Sequence, residues 1–277
     1  MKNYTYGVGH SSVIHKLIVS SKVDTEITVK NFQTGWSTKF SVQANVIGEL
    51  EIPHEQGYTF HGASVQDKGL YVESTNPISL YASNYASASY DATIVLPVTG
   101  LGDEYVIQLF ESTSLFYEGN YKEFSLIATE NNTKVRITPH AHTRDGGKPS
   151  VPYEITLQKG QTYLVESGDE NLNLSGSHII SNYPIAVFAG HQCALIQDGN
   201  IACDHIVEQQ LPVNMWGKKF ALTKTYGQTG DYVMLTTTSD KTEVFVNGTL
   251  HTTINKYDSY TFRLTDGSAF VETSNPV

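Results

Sequence analysis

Three stretches of this chain follow one pattern. Residues 17–29 (LIVSSKVDTEITV), 125–138 (SLIATENNTKVRIT) and 234–246 (MLTTTSDKTEVFV) each run an apolar strand into a polar turn, then a threonine and a strand of alternating polarity. The turn-closing threonines are Thr25, Thr133 and Thr242, 108 and 109 residues apart. A steady spacing of that size constrains the fold strongly, because each recurrence must be a structural unit set beside its neighbours. A second signature follows in each unit: STNPISLYASNY at 74–85, SNYPIAVFAG from Ser181, and TSNPV at 273–277. There the proline fixes φ in a turn ahead of an apolar strand. DATIVLPVTGLGDEYVIQL (91–109) likewise matches CDHIVEQQLPVNMWGKKFALT (203–223) through Leu-Pro-Val, a Gly turn and an apolar strand.

Within each unit the alternation Ile27/Val29, Val135/Ile137 and Val244/Val246 reads as antiparallel strands with one buried and one wet face. Seven or eight short strands fit a complete unit, which suits a β-sandwich; a propeller blade repeats at about 40 to 50 residues. The expected fold is therefore all-β: tandem antiparallel β-sandwich-like units, pseudo-symmetric, with a period of about 108 residues. The expected division is an N-terminal segment 1–16, units 17–124 and 125–232, and an incomplete unit 233–277. An incomplete unit leaves an apolar sheet edge that something must cover. Segment 1–16 is one candidate cover, and a partner chain or a further segment is another. Residues 111–124 are expected to hold a short helix or an irregular loop.

The 17 Tyr and 11 Phe, with many Val, Ile and Thr, agree with strands. A net charge of -10 without a Lys/Arg run argues against nucleic acid and anionic lipid. The apolar runs are strand-length, far short of the roughly 20 residues of a membrane helix, so no membrane insertion is expected. Met1 leads into KNYTYGVGHSS without an apolar h-region, so any export signal is expected to have been removed or to lie upstream. Glycosylation triplets stand at Asn3, Asn131, Asn173 and Asn247.

Cys193 and Cys203 flank a short polar loop, and the favoured reading is a disulfide. Zinc held by His191, Cys193, Cys203 and His205 has the right ligand types but lacks a close cysteine knuckle; free thiols are the remaining alternative. His191, Asp204, His205 and Glu208, followed by Gln209 and Gln210, are read as a structural polar cluster, with no nucleophile placed for acid-base catalysis. Trp216 is expected to plug a sandwich end. Two regions are candidate ligand-binding surfaces. One is the loop HAHTRDGGKP with His140, His142, Arg144 and Asp145; the other is the strand pair carrying Tyr81, Tyr85 and Tyr90. No catalytic elbow, zinc-protease, phosphate-loop, dinucleotide or EF-hand motif is found, and no cofactor is expected.

The runs SLIATENNTKVRITP (125–139), GGKPSVPYEITLQKGQTYLVES (146–167) and LSGSHIISNYPIAVFAGHQCA (174–194) resemble the N-terminal domain family of the IgGFc-binding protein and its bacterial relatives. So does ACDHIVEQQLPVNMWGKKF (202–220), and the likeness extends upstream through 76–105. The Gly-His-x-Cys run followed by Cys-Asp-His is its specific part. The resemblance implies a secreted or surface-exposed, non-catalytic adhesion module that binds a protein or glycan on another cell or host surface. Immunoglobulin binding is not carried over, because no contact residue can be matched. A carbohydrate-active enzyme and a structural spacer are the competing classes, and homo-oligomerisation through the open edge is a further expectation. A cleft with two carboxylates about 5 to 9.5 Å apart would favour the enzyme.

Overall fold

The computed structural model describes residues 13–59, 64–86, 89–112, 121–196 and 203–277. It is all-β, with antiparallel sheets throughout. In the first part of the chain the strands are β1 (Ile14–Ser20), β2 (Thr25–Lys30), β3 (Ser37–Val42) and β4 (Gly48–Ile52). A one-turn helix α1 (His54–Gly57) then leads to β5 (Val65–Gln66), β6 (Tyr71–Ser74), β7 (Ser79–Ala86) and β8 (Ser89–Ile94). One sheet has the order β4-β1-β7-β8 and the other β3-β2-β6. Between them Val19, Ile27, Val29 and Leu80 form an apolar core. The alternation seen in the sequence places these side chains inward.

The middle part is built on β9 (Gly102–Val106), β10 (Lys122–Ala128), β11 (Thr133–Thr138), β12 (Tyr153–Leu157), β13 (Thr162–Glu166), β14 (His178–Ala194) and β15 (Asp204–Gln209). β10 lies between β13 and the second half of β14, whereas β11 lies between β12 and the first half. β9 flanks the first half of β14 and β15 the second. β14, 17 residues long, thus serves both layers. Phe124, Leu126, Ile137, Leu157, Ile179 and Val187 fill the core between them. Residues 113–120 lie outside the described residues, and Lys122–Phe124, expected in a helix or loop, open β10 instead.

The last part contains β16 (Lys219–Thr223), β17 (Asp231–Thr236), β18 (Thr242–Val246), β19 (Thr249–Ile254), β20 (Ser259–Leu264) and β21 (Ser268–Thr273). β17 pairs with β20, and the second sheet has the order β16-β21-β18-β19.

Thr25, Thr133 and Thr242 open β2, β11 and β18, and all three are buried. Each hydroxyl donates back to a carbonyl of its own turn: Val23 at 2.7 Å, Glu130 at 2.7 Å and Ser239 at 3.0 Å. The strand before each turn ends in a hydroxyl residue that reaches across to a proline carbonyl. The pairs are Ser21 to Pro77, Thr129 to Pro184 and Thr237 to Pro276. The two sequence signatures therefore meet in space, a hydroxyl just after the first strand bonding a proline carbonyl in all three places. Of segment 1–16, residues 1–12 lie outside the described residues, and Ile14–Lys16 belong to β1, paired with β4 and β7.

Candidate functional site

β8 and β15 run side by side without pairing as a ladder. The side-chain oxygens of Ser89, Asp91 and Thr93 accept from the backbone N–H groups of His205, Val207 and Gln209 at 2.8, 2.7 and 2.9 Å. Each step is two residues on both strands, so the strands run in the same direction, and side chains supply the acceptors that a backbone ladder would. In return Asp204 accepts from the Ser89 hydroxyl at 2.7 Å and from the Tyr90 N–H at 3.1 Å. Glu208 accepts from the Thr93 hydroxyl at 3.1 Å and Gln209 from the Leu96 N–H at 2.8 Å. Two sheet edges that would otherwise invite pairing are closed by this seam. Burial pushes the Asp91 and Glu208 carboxyls up, and neighbouring carboxylates add to it: Asp204 on Asp91, and Asp91 on Glu208. Their oxygens are engaged by backbone and hydroxyl donors.

Behind the seam lies a buried polar layer. His205 faces the His191 carbonyl through Nδ1 at 3.1 Å and the Asn84 amide through Nε2 at 3.3 Å, which fits a neutral ring protonated on Nδ1. His191 accepts from the Cys193 N–H at Nδ1, 3.0 Å, while its buried Nε2 has no hydrogen-bond partner. Burial pushes both imidazoles down to about 3, and Lys122 contributes at His191. The sulfurs of Cys193 and Cys203 are joined in a disulfide that ties the end of β14 to the start of β15. Sulfurs bonded to each other offer no thiolate to zinc. Among the described residues no group of three His, Cys, Asp or Glu side chains is placed to hold a metal ion.

One constellation escaped the sequence reading. Glu123 and Glu166 stand opposite each other on β10 and β13, 0% and 3% exposed. The Gln192 amide lies 3.2 Å from a carboxylate oxygen of each. Arg144 reaches Glu166 at 3.4 Å and spreads its guanidinium 4.3 Å above the Tyr121 ring. Lys122, also buried, donates to the Glu170 carbonyl, and burial pushes its amine down. Glu123, Glu166 and Gln192 share the face of the sheet opposite Phe124, whereas Lys122 lies on the Phe124 side. The sheet β13-β10-β14-β15 is buried on both sides, because the first part of the chain packs on its outer face. The expected buried and wet faces are present on β2 and β11, and β18 buries Thr242 and Val244, so the doubly buried sheet is a different set of strands. In the sequence Glu123 and Glu166 are single carboxylates at the ends of apolar strands, which also describes strands that end at the surface.

Further along this layer Leu17, Leu80, Val95, Ile127 and Phe188 line a cavity of about 180 Å³. Among the described residues both buried ring nitrogens of His15, on its wall, lack a hydrogen-bond partner, and burial pushes that imidazole down to about 3.

The remaining candidates divide. In the 140–149 loop, Asp145 accepts from the hydroxyls of Thr143, Tyr153 and Tyr163. Arg144 is engaged as described, so the inner half of this loop is spent on its own packing. His140 and His142 stay exposed. Trp216 donates to the Leu211 carbonyl at 3.2 Å. Tyr81, Tyr85 and Tyr90 all project from the outer face of β7 and β8 and are 43%, 45% and 50% exposed. Tyr85 pairs with Tyr90 across the strands, ring centroids 6.2 Å apart, and Tyr81 pairs with Ile94, itself 43% exposed.

Fold and site thus define an all-β module whose carboxylates are bound up in its own structure and whose aromatic face is open to solvent. The family model described as IgGFc binding protein matches residues 91–277, more than half of the chain, and the chain belongs to that family. The human IgGFc-binding protein is 24% identical over 242 residues, 87% of this chain, which spans 4% of that protein's length. A solved structure concerned with host cell surface retention of a bacterial ice-binding adhesin is 11% identical, covering 91% of this chain and 76% of its own. Its TM-score of 0.16 is too low to support an argument about fold. Among the described residues no helix is long and apolar enough to cross a membrane.

Proposed function

We propose that the chain is a non-catalytic binding module, working outside the cell or at a cell surface, that recognises a protein or glycan ligand on another cell or host surface. The carrying observation is the outward face of β7 and β8, where Tyr81, Tyr85, Tyr90 and Ile94 lie exposed on a rigid sheet. Tyrosine contributes large contact area at small entropic cost, and contiguous exposed apolar surface marks interaction sites. Membership of a family named for binding supports the same reading. His140 and His142, exposed on the 140–149 loop, offer a second, smaller contact region.

The recurring bond from hydroxyl to proline carbonyl supports treating 17–124, 125–232 and 233–277 as copies of one unit with a period of about 108 residues. The test of function is a screen of the purified chain against glycan and protein arrays, with immunoglobulin Fc as one arm. The triple variant Tyr81→Ala/Tyr85→Ala/Tyr90→Ala should lose at least tenfold in affinity for any ligand found while its thermal midpoint stays put. Undiminished binding would move the site away from this face.

A further inference from the structure

The chamber between the first part of the chain and the middle sheet has two unlike ends. One wall follows the inner face of β1 and β7, where His15 pairs with Asn84, Leu17 with Ala82 and Val19 with Leu80. Leu80 lies four residues from Asn84 along β7, roughly 13 Å of strand. Ser125 and Ile127 of β10 and Phe188 of β14 form the facing wall. At the His15 end, both ring nitrogens and the Thr59 hydroxyl are sealed from solvent and, among the described residues, have no hydrogen-bond partner. Such atoms are costly to leave unmatched. At the Leu80 end the lining is apolar. There the chamber adjoins a wider cleft of about 600 Å³, which shares Leu80, Val95, Ile127 and Phe188 with it and reaches the exposed Phe32. The cleft gives a way in, and about 180 Å³ drawn out over the length of the chamber makes a narrow bore.

We propose that this chamber binds one straight-chain primary alcohol, its hydroxyl between His15 and Thr59 and its alkyl chain laid along Leu17, Ala82, Leu80 and Val95 towards the cleft. Water matches the polar end but does not wet the apolar length, and a pure hydrocarbon fills the length but leaves the polar end unmatched. A neutral imidazole has one N–H to donate and one nitrogen to accept, and a hydroxyl both donates and accepts, so head and site match in either tautomer. A carboxylate head finds no cation here. His15 stays neutral, Lys16 is paired with Glu49 at 2.9 Å, and Lys68 donates to the Glu55 carbonyl. The narrow bore suits a chain over a ring, and the chain buries apolar area against both walls. This site is separate from the tyrosine face, because Tyr81 and Tyr85 project from the opposite side of β7 to Leu80 and Ala82.

The test is titration calorimetry of the whole chain with 1-octanol, octanoate and 1-butanol. One saturable site is expected for 1-octanol, with affinity at least about tenfold weaker for octanoate, which buries an unpaired charge, and for 1-butanol, which buries less chain. Ala82→Leu narrows the bore midway and should abolish binding, and Thr59→Val should weaken it about fivefold. Magnetic resonance contacts from the terminal methyl of bound 1-octanol to the Leu80 and Val95 methyls locate the chain in the unsubstituted protein, so the test stands even if a variant fails to fold. No saturable site for 1-octanol would mean that ordered water alone satisfies His15 and Thr59, and the proposal would fall. Octanoate binding as tightly as 1-octanol, or methyl contacts to Tyr81 and Tyr85 in place of Leu80 and Val95, would overturn it equally.

Discussion

The two faces of the sheet β13-β10-β14-β15 are both buried, yet they are held by different physics. One carries Phe124, Leu126, Val165, Val187 and Ala189 into an apolar core. The other carries Glu123, Ser125, Glu166, Gln192 and His205 into contact with the first unit. On the apolar face stability follows from area removed from water, so size and shape matter and partners are interchangeable. On the polar face each donor or acceptor needs a particular partner, and the stabilisation lies in not leaving a group unmatched. The first face holds the middle part of the chain together; the second sets how it sits against the first part.

The largest expected effect breaks the apolar side: Phe124→Ala should cost about 4 kcal/mol in urea unfolding, lowering the midpoint of the whole chain. Acid should act next, through a buried histidine on each side of the sheet. His191 and His205 are neutral when folded, with pKa values pushed down to about 3, so below about pH 6.5 only the unfolded chain takes up their protons. Their stabilisation is complete above that pH and declines as the solution is acidified towards 3, by about 2 kcal/mol for each histidine by pH 5. Asp91 and Glu208 act in the opposite sense. Their raised pKa values mean the folded form keeps a proton longer, so their contribution is greatest in acid and falls as pH rises through the carboxylate range. Denaturant titrations at pH 7 and pH 5 should show the histidines dominating; equal stability at both would mean that these imidazoles are open to water.

Reducing the Cys193–Cys203 bridge, which closes a short loop at one end of that layer, should cost about 2 to 3 kcal/mol, read as a lower thermal midpoint in reductant. The smallest effect sharpens the comparison. Thr93→Val keeps volume but removes the hydroxyl that accepts from Gln209 and donates to Glu208. It should cost about 1 kcal/mol, with loss of exchange protection at the Gln209 amide and little change at Phe124.

What could be read from residues alone followed from periodicity. The all-β class, the threonines that open β2, β11 and β18, and the proline turn before β7 come from short-range patterns whose cause is local; Pro184, expected in a turn, lies instead within β14. The inter-unit layer was illegible for a physical reason. A strand that alternates apolar with polar looks the same whether its polar side meets water or another unit's polar side, and only tertiary packing decides. Glu123 and Glu166, 43 positions apart in the chain, become a pair through the register of β10 on β13, which no single-strand pattern encodes. Asp145 misled in the other direction. Its place in a Gly-rich loop suggested a tip free to bind, whereas two tyrosine hydroxyls 8 and 18 residues downstream draw it inward.

β14 crosses from one layer of its unit to the other without a break, paired with β11 and β9 over its first part and with β10 and β15 over its second. A ribbon shared in this way transmits load. Tension entering where the preceding chain meets β14 is borne in shear by four neighbours in two planes, and the sulfur bridge to β15 anchors the far end. Slippage by one residue would turn side chains inside out in both planes together. The sheet around β14 is thereby built to yield all at once or not at all.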